Sequence, residues 1–448
     1  MSRSLFVSCW LIGLVGPSAT AVRAEEDLDK QVTQFFQTGD AGARARLLDA
    51  IVKHPEANVT RIAQAVRRTQ VWEPVQSGVQ VLDVGFGDGL RTQVRVRVPE
   101  SYDPARRYPL ILALHGMGQG ALSYLQYLER VLGAEVENFI IAAPQDYKGT
   151  WFSVSRAEAA EPVAILETLR RRYHLDTDRA YVNGYSMGGH GAFMTAVLYT
   201  DWFASSIPLA GTFTTPNTPE TKPTLLPNLA GFPMLLVWGE RDTRNRHQHD
   251  TRLGGIAGLN RALRAELPEM GVSGVEFVEL EGRDHGDVIP PCDRFLHYLQ
   301  LRRDNNRKSI SHWFRFPAQG RMGWLRQTQF AGEPWEGQLV VRVRPGADVH
   351  DYARRTVRRK LGLIEGHIEG QTIRIRMQHT RQAEVLLHDG LVDLSRPITL
   401  YRGRKKLFEG PVEPKITTLL TLAREDWEFQ RLPSVRLVVR ARGRAWQD

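Results

Sequence analysis

Cysteine is nearly missing from this chain: Cys9 and Cys292 are the only two in 448 residues. Cys9 lies in a stretch that reads as a removable export signal, so the mature chain keeps one thiol. No intrachain disulfide can then form, although an oxidising destination would permit one. Cys9 sits inside the apolar run and not after it, which argues against a lipid anchor, and Cys292 reads as an inert helix-start residue. No apolar run is long enough for a membrane span, so no transmembrane helix is expected after signal removal. Internal repeats and low-complexity tracts are absent, which excludes solenoids and compositional linkers. The glycines of Gly85-Phe86-Gly87-Asp88-Gly89 lack the G-x-G-x-x-G spacing and no helix follows them, so they read as a hairpin turn and not a nucleotide loop. His247 and His249 have no helical His-x-x-x-His partner and no cysteine set, so neither a metal nor an organic cofactor is expected.

What is present is enough for more than one domain. The length suggests two, and a hydrophobic fraction of 42% allows a sizeable core. The net charge of +9 is unevenly placed: residues 305–448 hold 27 Lys/Arg against 15 Asp/Glu, so the remainder is slightly acidic. A basic region of that kind suits an anionic glycan or cell-envelope contact, or a merely solvated surface; no specific nucleic-acid binding is expected. The first 24 residues have the signature of a signal peptide: Arg3, an apolar run from Leu5 to Gly16, and small-residue cleavage sites at Ala19-Thr20-Ala21 or Val22-Arg23-Ala24. This predicts an exported protein, periplasmic or extracellular.

Residues 25–75 carry helix-like spacing interrupted at Thr38-Gly39-Asp40 and His54-Pro55, and read as a short helical extension. Val94, Val96 and Val98 alternate with Arg95 and Arg97, the pattern of a hairpin with one wet face. From there to about residue 303, apolar strands alternate with amphipathic helices. Tyr108–Leu114, Phe139–Pro144 and Met234–Trp238 are continuous apolar runs, as buried parallel strands require. The predicted fold is therefore α/β, a mostly parallel sheet with helices on both faces, over residues 76–303. Arg302 to Lys308 reads as a polar linker. Residues 304–448 then read as a smaller, mainly β domain, with strands at Leu339–Val343, Gly370–Met377, Ala383–Leu387, Ile398–Tyr401 and Val435–Val439. Its Trp313, Phe314, Trp324 and Trp335 suit a core better than a sugar-stacking face.

The residues with chemical potential lie in the α/β part. Gly184-Tyr185-Ser186-Met187-Gly188 follows a β-prone run and precedes a helix, which is the G-x-S-x-G elbow that lifts a serine hydroxyl into the open. A serine is a weak nucleophile until a base takes its proton. Two later strand ends supply partners in the order acid, then histidine. Glu240-Arg241-Asp242 follows Met234–Gly239, and Asp284-His285-Gly286 follows Phe277–Gly282. Open parallel sheets gather ligands at those carboxyl ends. Ser186 is thus the candidate nucleophile and His285 the base. Asp242 is the preferred acid, Glu240 its alternative, and Asp284 a turn residue. Backbone N–H groups of Met187 and Met117 are the expected oxyanion donors, with His115 supporting the second loop.

With those residues assembled, positions 90–300 resemble the α/β-hydrolase superfamily. More narrowly they resemble secreted esterases of the polyhydroxybutyrate-depolymerase and feruloyl-esterase-like group and the related "predicted peptidase" branch. The resemblance rests on Leu114-His115-Gly116, Thr150-Trp151-Phe152, Tyr173 to Arg179, the Ser186 elbow, Trp238 to Asp242 and Asp284-His285-Gly286. It implies a Ser186, Asp242, His285 triad acting on a carboxylic ester, small or oligomeric, with His115, Trp151 and Tyr185 near the substrate. A peptidase of the same fold, or an inactive hydrolase fold kept for binding, are the alternatives. The depolymerases' disulfide pattern is missing, with only Cys292 retained, which weakens a polymer substrate.

Overall fold

The computed structural model describes residues 19–87, 89–145, 160–214, 218–244, 254–337, 346 and 348–448. The described chain forms two compact units that divide between Val71 and Trp72. The first contains three helices, α1 (Ala19–Gln37), α2 (Ala41–Lys53) and α3 (Val59–Arg68). Asp40 and Asn58 cap α2 and α3 by accepting from Ala43 and Arg61 N–H. Leu28, Val32, Phe35, Phe36, Ile51, Ile62 and Val66 are buried at helical spacing. The expected signal, residues 1–18, lies outside the described residues, and α1 runs through the expected cleavage sites.

The second unit opens with an eight-stranded sheet. Its elements in chain order are β1 (Gly78–Phe86), β2 (Leu90–Val98), β3 (Tyr108–Leu114), α4 (Ala121–Leu132), β4 (Ile140–Pro144), α5 (Glu161–Arg172), β5 (Leu175–Tyr185), α6 (Met187–Leu198), β6 (Ser205–Leu209), α7 (Thr218–Leu225), β7 (Met234–Gly239), α8 (Ile256–Glu269), β8 (Val275–Leu280) and α9 (Cys292–Tyr298). The strand order is β1-β2-β4-β3-β5-β6-β7-β8. β2 pairs antiparallel to both neighbours, and every later pairing is parallel. The central strands β3, β4 and β7 are buried on both faces, which is why they read as unbroken apolar runs. One core forms on each side of the sheet.

The C-terminal part adds β9 (Ser309–Phe314), β10 (Arg321–Met322), β11 (Leu325–Phe330), α10 (Val349–Lys360), β12 (Gly362–Glu369), β13 (Thr372–Gln378), β14 (Thr380–Leu387), β15 (Ile398–Arg402), β16 (Lys405–Gly410), α11 (Ile416–Asp426), β17 (Val435–Arg440) and β18 (Ala445–Gln447). Two five-stranded sheets, β10-β11-β14-β17-β18 and β16-β15-β13-β12-β9, share a core of their own. Trp313, Phe314, Trp324 and Trp335 are all buried. The strand expected at Leu339–Val343 lies outside the described residues.

The linker expectation for Arg302 to Lys308 is corrected. Arg303, with only 6% of its side chain exposed, pairs with Asp178 at 3.0 Å and Glu428 at 2.8 Å; Arg302 pairs with Asp176 at 2.9 Å. A polar run reads as solvated when its partners are remote in sequence, and here they lie more than 120 residues away in both directions. Beside it, Asp201 takes both guanidinium nitrogens of Arg431 at 2.9 Å and Arg321 at 2.9 Å. Asn228 donates to the Trp313 carbonyl at 2.7 Å and accepts from its N–H at 2.8 Å. Trp313, Trp335, Val357 and Leu361 also enter the core cluster that contains β3, β5 and α6 residues. The C-terminal sheets are therefore built into the α/β part by buried contacts around this run, while Arg302, Asp304, Asn306 and Lys308 within it stay exposed.

Candidate active site

Three strand ends meet at the carboxyl edge of the large sheet. β5 runs directly into Ser186, whose backbone has φ 57 and ψ −114, a region that L-residues with a side chain seldom occupy. That strain is held from outside. The Ser186 N–H donates to the Leu209 carbonyl at 2.8 Å, and α6 starts at the next residue. Gly188 and Gly189 are required by close approach. A Cβ on Gly188 would overlap the Leu114 carbonyl at the end of β3, and one on Gly189 the Leu209 carbonyl at the end of β6. The first turn of α6 is thus wedged between two strand ends.

The acid and histidine come from the loops after β7 and β8. Gly239 lets these loops touch, since a Cβ there would fall 2.6 Å from the carbonyl oxygens of Arg283 and Asp284. Asp242 is fully buried, and its Oδ2 lies 2.8 Å from His285 Nδ1. His285 Nε2 lies 2.7 Å from Ser186 Oγ. The other Asp242 oxygen accepts from the Arg244 N–H at 3.1 Å. Ser186, His285 and Asp242 stand in series, carried after β5, β8 and β7 of a sheet ordered β1-β2-β4-β3-β5-β6-β7-β8.

The chain has the α/β-hydrolase fold. No family model matches it. Among curated proteins it is similar to a poly(3-hydroxyalkanoate) depolymerase C of Paucimonas lemoignei, 32% identical over 147 residues, which is 30% of this chain and 34% of that protein. It is also similar to a bifunctional acetylxylan esterase/xylanase of Neocallimastix patriciarum, 26% identical over 125 residues, 28% of this chain and 18% of that protein. The chain therefore spans about a third or less of the length of these relatives. Among solved structures, a thermostable esterase is 23% identical with a TM-score of 0.37, covering 50% of this chain and 63% of that one. The strand order β1-β2-β4-β3-β5-β6-β7-β8, with Ser186, Asp242 and His285 at its carboxyl edge, is what this fold consists of here.

Within the hydrolase fold the remaining expected residues separate clearly. Glu240 is turned away from the histidine and accepts from the Gly282 N–H at 2.8 Å. Asp284 closes a local turn by accepting from Gly286 N–H at 2.7 Å. His115 is buried, with Nδ1 2.9 Å from the Gly116 carbonyl, so it braces its loop and does not line an opening. Gln119 ties the same loop at both ends: Oε1 accepts from Gly116 N–H, and its own N–H donates to the Gly116 carbonyl, each at 3.1 Å. A Cβ on Gly116 would lie 3.3 Å from the Tyr185 carbonyl, which sets Met117 beside the elbow. Met187, the first residue of α6, has an N–H with no intrahelical acceptor.

Tyr185 has a use that its sequence position did not suggest. Its hydroxyl donates to the backbone carbonyl of His285. The side chain beside the nucleophile thus clamps the loop carrying the histidine. Burial, with the Asp242 carboxylate nearby, pushes the phenol up to about 12, so it keeps its proton and remains a donor. Trp151, His247 and His249 lie outside the described residues. Among the described residues no three His, Cys, Asp or Glu side chains stand close enough to hold a metal ion.

Proposed function

We propose that the protein is an exported serine hydrolase that cleaves carboxylic esters through an acyl-enzyme. The reading is carried by one observation, the serial contact Ser186 Oγ to His285 Nε2 at 2.7 Å and His285 Nδ1 to Asp242 Oδ2 at 2.8 Å. In this scheme His285 takes the Ser186 proton as Oγ attacks the ester carbonyl carbon. The negative oxygen of the tetrahedral intermediate faces the backbone N–H groups of Met187 and Met117. Collapse breaks the bond to the alcohol, which leaves with the proton from Nε2. Water then enters by the same route in reverse: His285 takes its proton, the hydroxyl attacks the acyl carbon, and Ser186 departs protonated as the acid is released. Asp242 stays ionised throughout, fixing the imidazole and offsetting its positive charge.

Ester chemistry is favoured over amide chemistry because both curated relatives carry ester-cleaving names, a depolymerase of polyhydroxyalkanoate and an acetylxylan esterase. Export is read from Arg3, the apolar run Leu5–Gly16 and the small residues that follow. Turnover of p-nitrophenyl acetate by Ser186→Ala is expected to fall by about 10⁴ or more, with Asp242→Asn also severely impaired and Glu240→Gln close to wild type. Unchanged turnover in Ser186→Ala would refute the mechanism. A panel of acetyl, feruloyl, hydroxybutyryl and peptide substrates identifies the leaving group, and the N-terminal sequence of the exported protein locates the cleavage point.

A further inference from the structure

Two turns of the C-terminal sheets gather cations for which the reaction has no use. One joins β15 to β16 through Arg402-Gly403-Arg404-Lys405, and the other joins β17 to β18 through Arg440-Ala441-Arg442-Gly443-Arg444. They are neighbours in space, because Arg402 Nη1 donates to the Arg440 carbonyl at 2.8 Å. A third strand end joins them where Ala441 N–H donates to the Arg381 carbonyl at 2.8 Å. Gly403 and Gly443 take positive φ, 58 and 126, so both turns are tight.

Arg381, Arg404, Lys405, Arg440, Arg442 and Arg444 are all exposed, and neither turn contains a carboxylate. Among the described residues none of the six forms an ion pair. Cations elsewhere on these sheets do: Arg376 with Glu365 at 2.6 Å, Lys406 with Glu409 at 2.6 Å and Arg326 with Glu384 at 2.7 Å. Six like charges held together without counter-charges repel one another, a cost that a bound polyanion removes. Beside them Trp446 is 38% exposed, with the Arg440 guanidinium 4.9 Å over its ring.

We propose that these two turns are a docking surface for an acidic polysaccharide with carboxylates on its sugar units, holding the protein on a polymer. The cations are spread over two turns and not focused into a cavity, which suits a repeating anion better than a single small one. A partly open indole next to them offers an apolar platform for one sugar ring. Binding a single-stranded nucleic acid calls instead for a row of aromatics that stack successive bases, and one exposed tryptophan does not make a row.

Affinity electrophoresis of the full chain in native gels tests this, with polygalacturonate or neutral hydroxyethylcellulose cast into the gel. Wild type is expected to be retarded by polygalacturonate alone, less so as salt rises. The quadruple variant Arg404→Ser, Lys405→Ser, Arg442→Ser, Arg444→Ser is expected to bind about tenfold more weakly or worse, with its melting temperature unchanged because these side chains are unpaired. Trp446→Ala is expected to weaken binding several-fold even where salt screens the charges. The proposal fails if wild type runs unretarded, if the quadruple variant binds like wild type, or if single-stranded DNA of equal charge concentration retards the protein as much. Loss of ester turnover in Ser186→Ala leaves retardation intact, so this outcome is read separately from the catalytic one.

Discussion

Ser186 and His285 are 99 residues apart, and what keeps their side chains 2.7 Å apart is the residue next to the serine. Tyr185 ends β5, and its hydroxyl donates to the backbone carbonyl of His285 in the histidine loop. Its ring lies 6.3 Å from that of Tyr127, which stacks on Tyr124, whose hydroxyl donates to Asn183 at 2.7 Å. The clamp is therefore anchored in the strand that positions the nucleophile. Removing the hydroxyl alone, in Tyr185→Phe, is expected to lower kcat by about tenfold through lost alignment while leaving KM nearly unchanged. A phenylalanine variant whose kcat matches wild type, in steady-state kinetics on p-nitrophenyl acetate, would refute this positioning role. The elbow, the order of acid and histidine, and the choice of Asp242 over Glu240 are all legible as residue types after strands. The clamp was not, because the G-x-S-x-G pattern leaves its second position open and the partner is a backbone atom.

Among the elements, the large sheet announces itself through β3, β4 and β7, whose unbroken apolar runs have no other use. β12 was hidden. Gly362 and Gly366 depress any strand reading of Gly362–Glu369, yet both are there to admit rings: a Cβ would overlap Phe314 at the first and Trp324 at the second. The start of β5 was hidden for the opposite reason. Asp176, Thr177 and Asp178 lack a strand's apolar pattern, yet they are buried strand residues, and the two carboxylates take their counter-charges from Arg302 and Arg303. Charge cancellation between distant segments leaves no local signal in a sequence. Asp201 is part of the same pattern, receiving Arg431 and Arg321 together. Asp201→Ala leaves the buried Arg431 guanidinium without its ion-pair partner and Arg321 with Asp426 alone, and is expected to cost about 3–5 kcal/mol, read as a lowered urea midpoint. A midpoint equal to wild type would mean the network contributes no net stability.

For the whole second unit, buried ionisable groups set how it answers to acid. His312 is fully buried with Nε2 3.2 Å from the Leu198 carbonyl, and burial pushes it down from 6.5 to about 4. Burial alone would raise Asp201 and Glu428, but Arg431 at the first and Arg303 and Arg170 at the second override it and hold both well below the carboxylate range. At these three groups the unfolded chain therefore binds more protons than the folded one as pH falls. His312 contributes stability above pH 6.5 that is lost as pH falls towards 4, a change worth about 3 kcal/mol. The two carboxylates contribute above their unfolded values near 4 and lose that contribution below them. Urea denaturation followed from pH 8 to 3 is expected to show a plateau, a decline beginning near 6.5 and a steeper fall below about 4. A flat profile down to pH 4.5 would contradict the assignment of His312 as buried and neutral.

The position of Glu428 and Arg431 in the chain has a consequence for synthesis. A ribosome that has made Ser186, Asp242 and His285 has not yet made Arg321 and Arg431, the counter-charges of Asp201, nor the Arg303–Glu428 pair, nor the tryptophans at 313 and 335 of the first core. A nascent chain therefore holds Ser186, Asp242 and His285 before the α/β part can complete its buried ion pairs, and the finished packing of that part waits on the segment that carries Glu428 and Arg431.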